Sequence, residues 1–167
     1  MWTPKASVLP RSQAAVLGDA TVQAPRTLYV DGVFDLFHRG HVSYLRRCRE
    51  LMPIVGAERL LVGVVGDEDA ASYKRPPVLS LEERAEVLEA CSLPDAVLRA
   101  PPLVLDEAFL DAHNVVRVVH GDDDPQEAFF RVPLALGIMS YVPYSRGIST
   151  SDIIRRITAM TTAPTEA

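Results

Sequence analysis

An almost uninterrupted apolar run at residues 60–65 (LLVGVV) limits the possible folds more than any other feature of the chain. A strand with one solvent face alternates apolar and polar residues, so an unbroken run predicts a strand that is covered on both faces. Such strands are typical of parallel sheets with helices on both sides. Shorter apolar runs predict further strands at residues 28–30, 95–99, 115–119 and 138–142.

Amphipathic segments lie between these strands. One helix is predicted at residues 41–52, and Pro53 and Gly56 would end it. A second helix is predicted to begin at Ser80, which can form a capping box with Glu83. Strands that alternate with helices imply right-handed crossovers. We therefore expect an α/β fold, a Rossmann-like three-layer sandwich with a mostly parallel five-stranded sheet. Three more helices are predicted at residues 107–113, at 125–136, and from 149–152 onward, where Ile153, Ile154, Ile157 and Met160 should face inward.

Composition narrows the functional class. The 167 residues suit one domain, and the net charge of −5 argues against a general nucleic-acid binder. No apolar run is long enough to span a bilayer, so no stable membrane anchor is expected. Residues 1–25 are predicted to be a flexible N-terminal arm without the apolar core of a signal peptide, 26–160 the folded domain, and 161–167 a disordered tail. The location expected is cytoplasmic, with Cys48 and Cys91 as buried thiols rather than a disulfide or a zinc site.

Polar segments follow the predicted strands, at residues 31–41, 66–75, 120–124 and 143–152. Ligands of open parallel sheets bind outside the carboxyl ends of the strands, so these segments should meet at one edge. Their coincidence predicts an active site there.

The first of these segments reads DGVFDLFHRGH. His38 and His41 are three residues apart at a helix start, so their rings can lie on one side. Gly32 allows the backbone to approach a ligand, and Gly40 leaves room for a phosphate. Two imidazoles beside free helix N–H groups predict an anion cradle. The alternatives are capping or surface histidines, or a zinc site, for which no further His or Cys cluster supplies ligands.

Two other segments offer phosphate and polar contacts. Residues 149–151 (Ser-Thr-Ser) can bind a phosphate at a helix start, which is compatible with simple N-capping. His120 and Asp122 directly follow a predicted strand, and this position favours a functional role for both. Asp123 and Asp124 could equally cap the next helix.

Lysine is scarce in this chain. Of 17 cationic residues only Lys5 and Lys74 are lysines, and Lys5 lies in the predicted arm. This scarcity singles out Lys74 as a candidate functional residue, because its compact ammonium differs chemically from the planar guanidinium that the chain uses elsewhere. The alternative is a solvated loop lysine.

These motifs carry a resemblance over about residues 27–157. GVFDLFHRGH, with KRPPV at 74–78, EER at 82–84, HGDD at 120–123 and GISTSDII at 147–154, resembles the HxGH nucleotidyltransferase superfamily. Within it, the chain is similar to the CTP:phosphoethanolamine and CTP:phosphocholine cytidylyltransferases. The resemblance implies transfer of CMP from CTP to a phospho-alcohol, giving a CDP-alcohol and pyrophosphate. It also implies Mg²⁺ as cofactor and a homodimer.

The site residues follow from the same resemblance. The family's catalytic positions correspond to His38 and His41, which hold the triphosphate, and to Lys74, which neutralises charge between the substrates. The phospho-alcohol is expected at Asp31, Lys74 and Asp122. Metal ligands are left open. The nucleotide-binding positions are Gly32, Val33, Phe34, Gly40, His120, Gly121, Arg146, Gly147, Ile148, Ser149, Thr150 and Ser151.

One departure concerns an arginine. Before GIST the family has Arg-Thr-Glu or Arg-Thr-Gln, whereas this chain has Tyr144, Ser145 and Arg146. We predict that Arg146 reaches back to the triphosphate, and otherwise that Arg131 or Arg155 contributes.

The acceptor is predicted from what is missing. Phosphocholine enzymes of the family carry a Trp in the segment at 100–103 and a Tyr in the segment at 125–127, and neither stands here. A primary ammonium needs carboxylates instead, so phosphoethanolamine is the leading acceptor. The alternatives are 2-aminoethyl- or 2-hydroxyethylphosphonate, phosphocholine and glycerol 3-phosphate. An adenylyltransferase on the same scaffold and an inactive nucleotide-binding regulator also stay open.

Overall fold

The computed structural model describes residues 24–122, 128–143 and 147–162. Within these ranges the strands are β1 (Thr27–Gly32), β2 (Arg59–Val64), β3 (Ala96–Arg99), β4 (Val115–Gly121) and β5 (Met139–Val142). The helices are α1 (Arg39–Val55), α2 (Asp67–Tyr73), α3 (Leu81–Ala90), α4 (Glu107–Ala112), α5 (Arg131–Ala135) and α6 (Thr150–Thr162).

The described strands form one parallel sheet in the order β3-β2-β1-β4-β5. The strand order therefore reverses between β1 and β4, and a crevice opens at such a switch point. The predicted α/β class and mostly parallel five-stranded sheet are confirmed.

Each face of the sheet carries its own apolar core, as expected for a three-layer arrangement. On one face Leu45 of α1 and Leu88 of α3 pack against Val30 and Val62. On the other, Tyr29 and Leu61 pack with Leu110 of α4. Neighbouring strand residues thus point to opposite cores, which explains the unbroken apolar run in β2.

Several predicted helix boundaries were wrong. Helix α1 continues through Pro53 and ends at Gly56, whose left-handed backbone (φ 67°) lets its N–H bond to the carbonyl of Met52. Helix α2 was not predicted, because its seven residues are mainly polar. In the described part of residues 125–136, only Arg131–Ala135 is helical.

The inward face predicted for the last helix is also wrong beyond its first turns. Ile153 and Ile154 are half-buried, but Ile157 is 53% and Met160 78% exposed. Helix α6 runs to Thr162, two residues into the segment predicted as a tail. The arm predicted at 1–25 lies almost wholly outside the described residues, as do residues 163–167.

Cys48 is buried and Cys91 half-buried, and both thiols are free, so Cys91 is less enclosed than predicted. Among the described residues, none of the helices has the length and apolar character needed to cross a bilayer.

Candidate active site

A cavity of about 500 Å³ opens at the carboxyl edge of the sheet, where β1 and β4 diverge. It gathers residues from four segments that are far apart in sequence. The predicted site residues that line it are Asp31, Gly32, Val33, Phe34, His38, Gly40, His41, Lys74, His120, Gly121, Ile148, Ser149, Thr150 and Ser151.

The two histidines form the N-terminal cap of α1. Nδ1 of His38 accepts the N–H of Gly40 (3.1 Å), and Nδ1 of His41 accepts the N–H of His38 (3.3 Å). Each neutral ring must therefore carry its proton on Nε2. The rings stack with centroids 3.9 Å apart, so two Nε2–H donors lie side by side. Each ring can therefore cap the helix through Nδ1 and donate to an anion through Nε2.

Gly40 is required by this arrangement for a reason the sequence did not show. A Cβ on Gly40 would lie 2.8 Å from Cε1 of His38. The glycine therefore makes room for the imidazole ring of His38. It helps a ligand to bind only because that ring is correctly placed.

Both imidazoles are held neutral. Burial, followed by the charge of His38, lowers the pKa of His41 to about 3. Burial and the neighbouring Arg39 guanidinium lower the pKa of His38. At neutral pH the pair offers hydrogen-bond donors rather than formal charges.

Asp35 joins three of the segments around the cavity. Its buried carboxylate accepts N–H groups of Val78 and Leu79 and Nη2 of Arg75, each at 3.0 Å. Its carbonyl accepts the hydroxyl of Thr150 at 2.8 Å. Burial would raise the pKa of Asp35, but these donors outweigh burial and lower it. Asp35 belongs to the DGVFDLFHRGH motif, but the sequence alone assigned it no role.

Arg84 is a second hub that sequence reasoning missed. Its guanidinium is buried and donates to the carbonyls of Val33, Val65 (2.8 Å) and Leu79 (3.1 Å), and to Asp67 (2.6 Å). It therefore ties α3 to the ends of β1 and β2 and to the segment after α2. Its place in the EER motif was the only available signal.

Lys74 lies on the segment that these two hubs hold. It is exposed at the end of α2, with Nζ 5.5 Å from the centroid of the Tyr73 ring. Within the ranges described, no carboxylate forms an ion pair with it. Its charge is thus available to a ligand.

A side cavity of about 30 Å³ adjoins the main one. Burial raises the pKa of Asp31, in its wall, to about 6, although His120, Tyr29 and Lys74 act in the opposite direction. Aromatic rings that the sequence analysis overlooked complete the wall: Tyr73, Phe129 and Phe130.

The hydroxyls at the start of α6 are largely committed to the protein. Ser149 donates to the carboxylate of Asp152 (2.8 Å) and accepts its N–H (3.1 Å). Thr150 is bound to Asp35, as described above. The capping role is therefore realised, and Ser151 and backbone amides are left to face the cavity.

Some predicted residues are not brought into the cavity. Asp122 is exposed and lines neither cavity. Arg131 is exposed on α5, and Arg155 pairs with Asp152. The predictions for Asp123, Asp124 and Arg146, and the departure at Tyr144, fall outside the described residues.

Comparison with known proteins gives three findings. Residues 29–156 match the family model described as cytidylyltransferase-like. An ethanolamine-phosphate cytidylyltransferase of Dictyostelium discoideum is 35% identical over 146 residues, covering 84% of this chain and 39% of that protein. Choline-phosphate cytidylyltransferase A of Homo sapiens is 35% identical over 140 residues, covering 81% of this chain and 37% of that protein.

The chain thus spans well under half the length of these relatives. Among solved structures, a lipopolysaccharide core biosynthesis protein from Thermoplasma volcanium GSS1 superimposes with a TM-score of 0.56. It is 21% identical, and the match covers 74% of this chain and 99% of that one. At this identity the likeness supports the fold alone.

Proposed function

The chain belongs to the cytidylyltransferase-like family, and on that premise we propose that it transfers CMP from CTP to phosphoethanolamine. The products are CDP-ethanolamine and pyrophosphate. The observation that carries the proposal is the meeting of the paired Nε2–H donors of His38 and His41 with Lys74 and Asp31 in one cavity.

The reaction is a single displacement at phosphorus. A phosphate oxygen of the acceptor forms a bond to the α-phosphorus of CTP while the bond from that phosphorus to the bridging oxygen of pyrophosphate breaks. Such chemistry needs alignment and charge stabilisation more than a covalent nucleophile. His38 and His41 would donate to triphosphate oxygens, and Lys74 would lie between acceptor phosphate and α-phosphate.

Magnesium is part of this proposal, as a companion of CTP. The described residues hold no group of three or more His, Cys, Asp or Glu side chains arranged for a metal. Asp35, a buried carboxylate beside the cavity, is committed to three donors. Mg²⁺ commonly keeps several waters and binds through substrate phosphates with one or two carboxylates. When bound, it would neutralise charge on the departing pyrophosphate.

The side cavity supports a cationic acceptor. Asp31 places a carboxylate in its wall, and the aromatic rings can face an ammonium. The side cavity is much smaller than the main one, which favours a primary ammonium over the bulkier trimethylammonium group. This favours phosphoethanolamine. The aromatic wall keeps phosphocholine as the second candidate.

A pyrophosphate-release screen tests the proposal. CTP and ATP would each be paired with phosphoethanolamine, phosphocholine, glycerol 3-phosphate, 2-aminoethylphosphonate and 2-hydroxyethylphosphonate. We expect the highest kcat/KM with CTP and phosphoethanolamine. Preference for ATP would identify an adenylyltransferase instead, and CTP binding without product from any acceptor would identify a nucleotide-binding regulator.

The proposal also covers the oligomeric state and the boundaries of the catalytic domain. We expect a cytoplasmic homodimer whose catalytic domain spans residues 26–160. Light scattering of the purified chain would test the dimer, and activity of a chain limited to that range would test the boundaries.

A further inference from the structure

Arg39, the first residue of α1, lies between the two histidines in sequence, and no carboxylate of the described residues forms an ion pair with it. We propose that its guanidinium binds the β- and γ-phosphates of the nucleotide and so holds the pyrophosphate as it leaves. The inference rests on the proposed function, because it assigns the leaving-group side of the same cavity.

Position is the first observation. The Arg39 side chain is exposed, and its Nη2 lies 3.2 Å from where a Cβ on Gly147 would be. Gly147 has φ 94° and precedes Ile148 and Ser149, which line the cavity together with the first residues of α6. Arg39 therefore lies between the cavity-lining residues His38 and Gly40 in sequence, with its guanidinium beside the segment before α6. The absence of a side chain on Gly147 leaves space next to that guanidinium.

Availability is the second observation. Nearby arginines are already paired, since Arg75 binds Asp35, Arg84 binds Asp67, and Arg155 binds Asp152. In the part of the chain that the structure describes, no carboxylate pairs with Arg39. A guanidinium without a partner, at the rim of an anion site, can bind phosphate oxygens in a bidentate manner.

Charge balance is the third observation. The triphosphate brings several negative charges, but the pair of imidazoles is neutral in the free protein. Lys74 is the unpaired permanent cation in the described lining. After burial, the charge of the adjacent Arg39 guanidinium also lowers the pKa of His38.

The geometry of displacement decides which phosphates Arg39 faces. Attacking and leaving oxygens lie roughly in line on opposite sides of the α-phosphorus. Asp31 and Lys74 share the side cavity and so mark the acceptor side. Arg39 lies by Gly147, and neither residue lines the side cavity. This arrangement assigns Arg39 to the side where pyrophosphate would depart.

The test compares Arg39→Ala with Arg46→Ala. Arg46 is also exposed on α1, two turns further along and so about 10 Å away, which makes it a matched control for net charge. Calorimetry would measure the binding of CTP, CMP and Mg²⁺-pyrophosphate to the full chain. We expect Arg39→Ala to weaken CTP and pyrophosphate by about tenfold and to leave CMP within about twofold. Arg46→Ala should leave all three unchanged.

Equal weakening of CMP and CTP, or unchanged pyrophosphate binding, would overturn the assignment. Arg39→Lys should recover part of the pyrophosphate affinity, because it restores the charge without the fork. Failure of the proposed function is read separately, from the wild-type acceptor screen. Pyrophosphate binding by the Arg39 variants can be measured even if the wild-type chain shows no transfer. The binding result and the activity result are therefore independent.

Discussion

The carboxylate of Asp35 and the guanidinium of Arg75 form an ion pair at 3.0 Å that fastens the Lys74 segment to the loop after β1. The two residues are 40 positions apart, and the same carboxylate also accepts the N–H groups of Val78 and Leu79. The position of Lys74 relative to the histidines thus depends on this buried side chain. Asp35 is a positioning residue.

Asp35→Asn should lower kcat by at least about tenfold while CTP affinity changes less. The amide has one acceptor oxygen instead of two, so it cannot hold all three donors and the Lys74 segment should shift. Stability should fall by about 2 kcal/mol. Because the folded-state pKa of Asp35 is lowered, this stabilisation is present above about pH 4 and is lost as pH falls through the folded-state pKa. Steady-state kinetics and denaturation at pH 7 and pH 3 would measure both effects.

Asp95→Asn is the matched control. Asp95 likewise accepts an arginine, Arg49 (2.7 Å), and a backbone N–H, that of Leu60 (2.7 Å), but it does not line the cavity. It should lose stability and keep kcat. Equal loss of kcat in both variants would mean that Asp35 acts only through stability.

His38→Asn separates helix capping from chemistry. Asparagine is a good N-cap residue and can accept the Gly40 N–H that Nδ1 of His38 now accepts. The melting temperature should therefore stay within a few degrees. Loss of the Nε2–H donor should lower kcat by about a hundredfold or more. Retained kcat in this variant would show that His38 is a capping residue alone.

Lys74→Arg tests whether charge alone suffices. Lys74 is exposed, so neither Lys74→Arg nor Lys74→Met should disturb folding, which circular dichroism would verify. We expect Lys74→Met to lose at least about a hundredfold in kcat and Lys74→Arg about tenfold, since a planar guanidinium cannot follow the moving phosphate as a compact ammonium does. Wild-type turnover in Lys74→Met would remove Lys74 from the mechanism.

The fold and the paired histidines could be predicted from the sequence, but the residues that hold the site in place could not. Unbroken apolar runs predicted the parallel strands, and the cap at Ser80 was found because its partner Glu83 is three residues away. The roles of Asp35 and Arg84 depend on partners tens of residues distant, which no local pattern reveals. Apolar spacing in α6 predicted an inward face, yet Ile157 and Met160 are exposed because spacing fixes a helix face and not what covers it.

The side cavity illustrates the same limit. The resemblance predicts aromatic residues near positions 100–103 and 125–127, whereas the aromatic wall contains Tyr73 and Phe129, which meet edge to face at 5.4 Å. Only the tertiary fold brings them to Asp31.

Asp31 gives the last prediction, a pH dependence confined to cationic acceptors. Burial raises its pKa to about 6, so the carboxylate ionises and can bind an ammonium only above that pH. The ratio of kcat/KM for phosphoethanolamine to that for glycerol 3-phosphate should therefore rise through pH 6. Both acceptors carry a phosphate monoester that titrates near pH 6, so the ratio removes that contribution.

Asp31→Asn should flatten this ratio and lower kcat/KM for phosphoethanolamine by about tenfold or more at pH 7.5, with glycerol 3-phosphate little changed. The variant should also gain stability above pH 6, where the wild type buries a charge. That gain should shrink as pH falls and vanish below about pH 4, where the carboxyl is neutral in both folded and unfolded chains. A ratio that is flat in the wild type would place the ammonium away from Asp31.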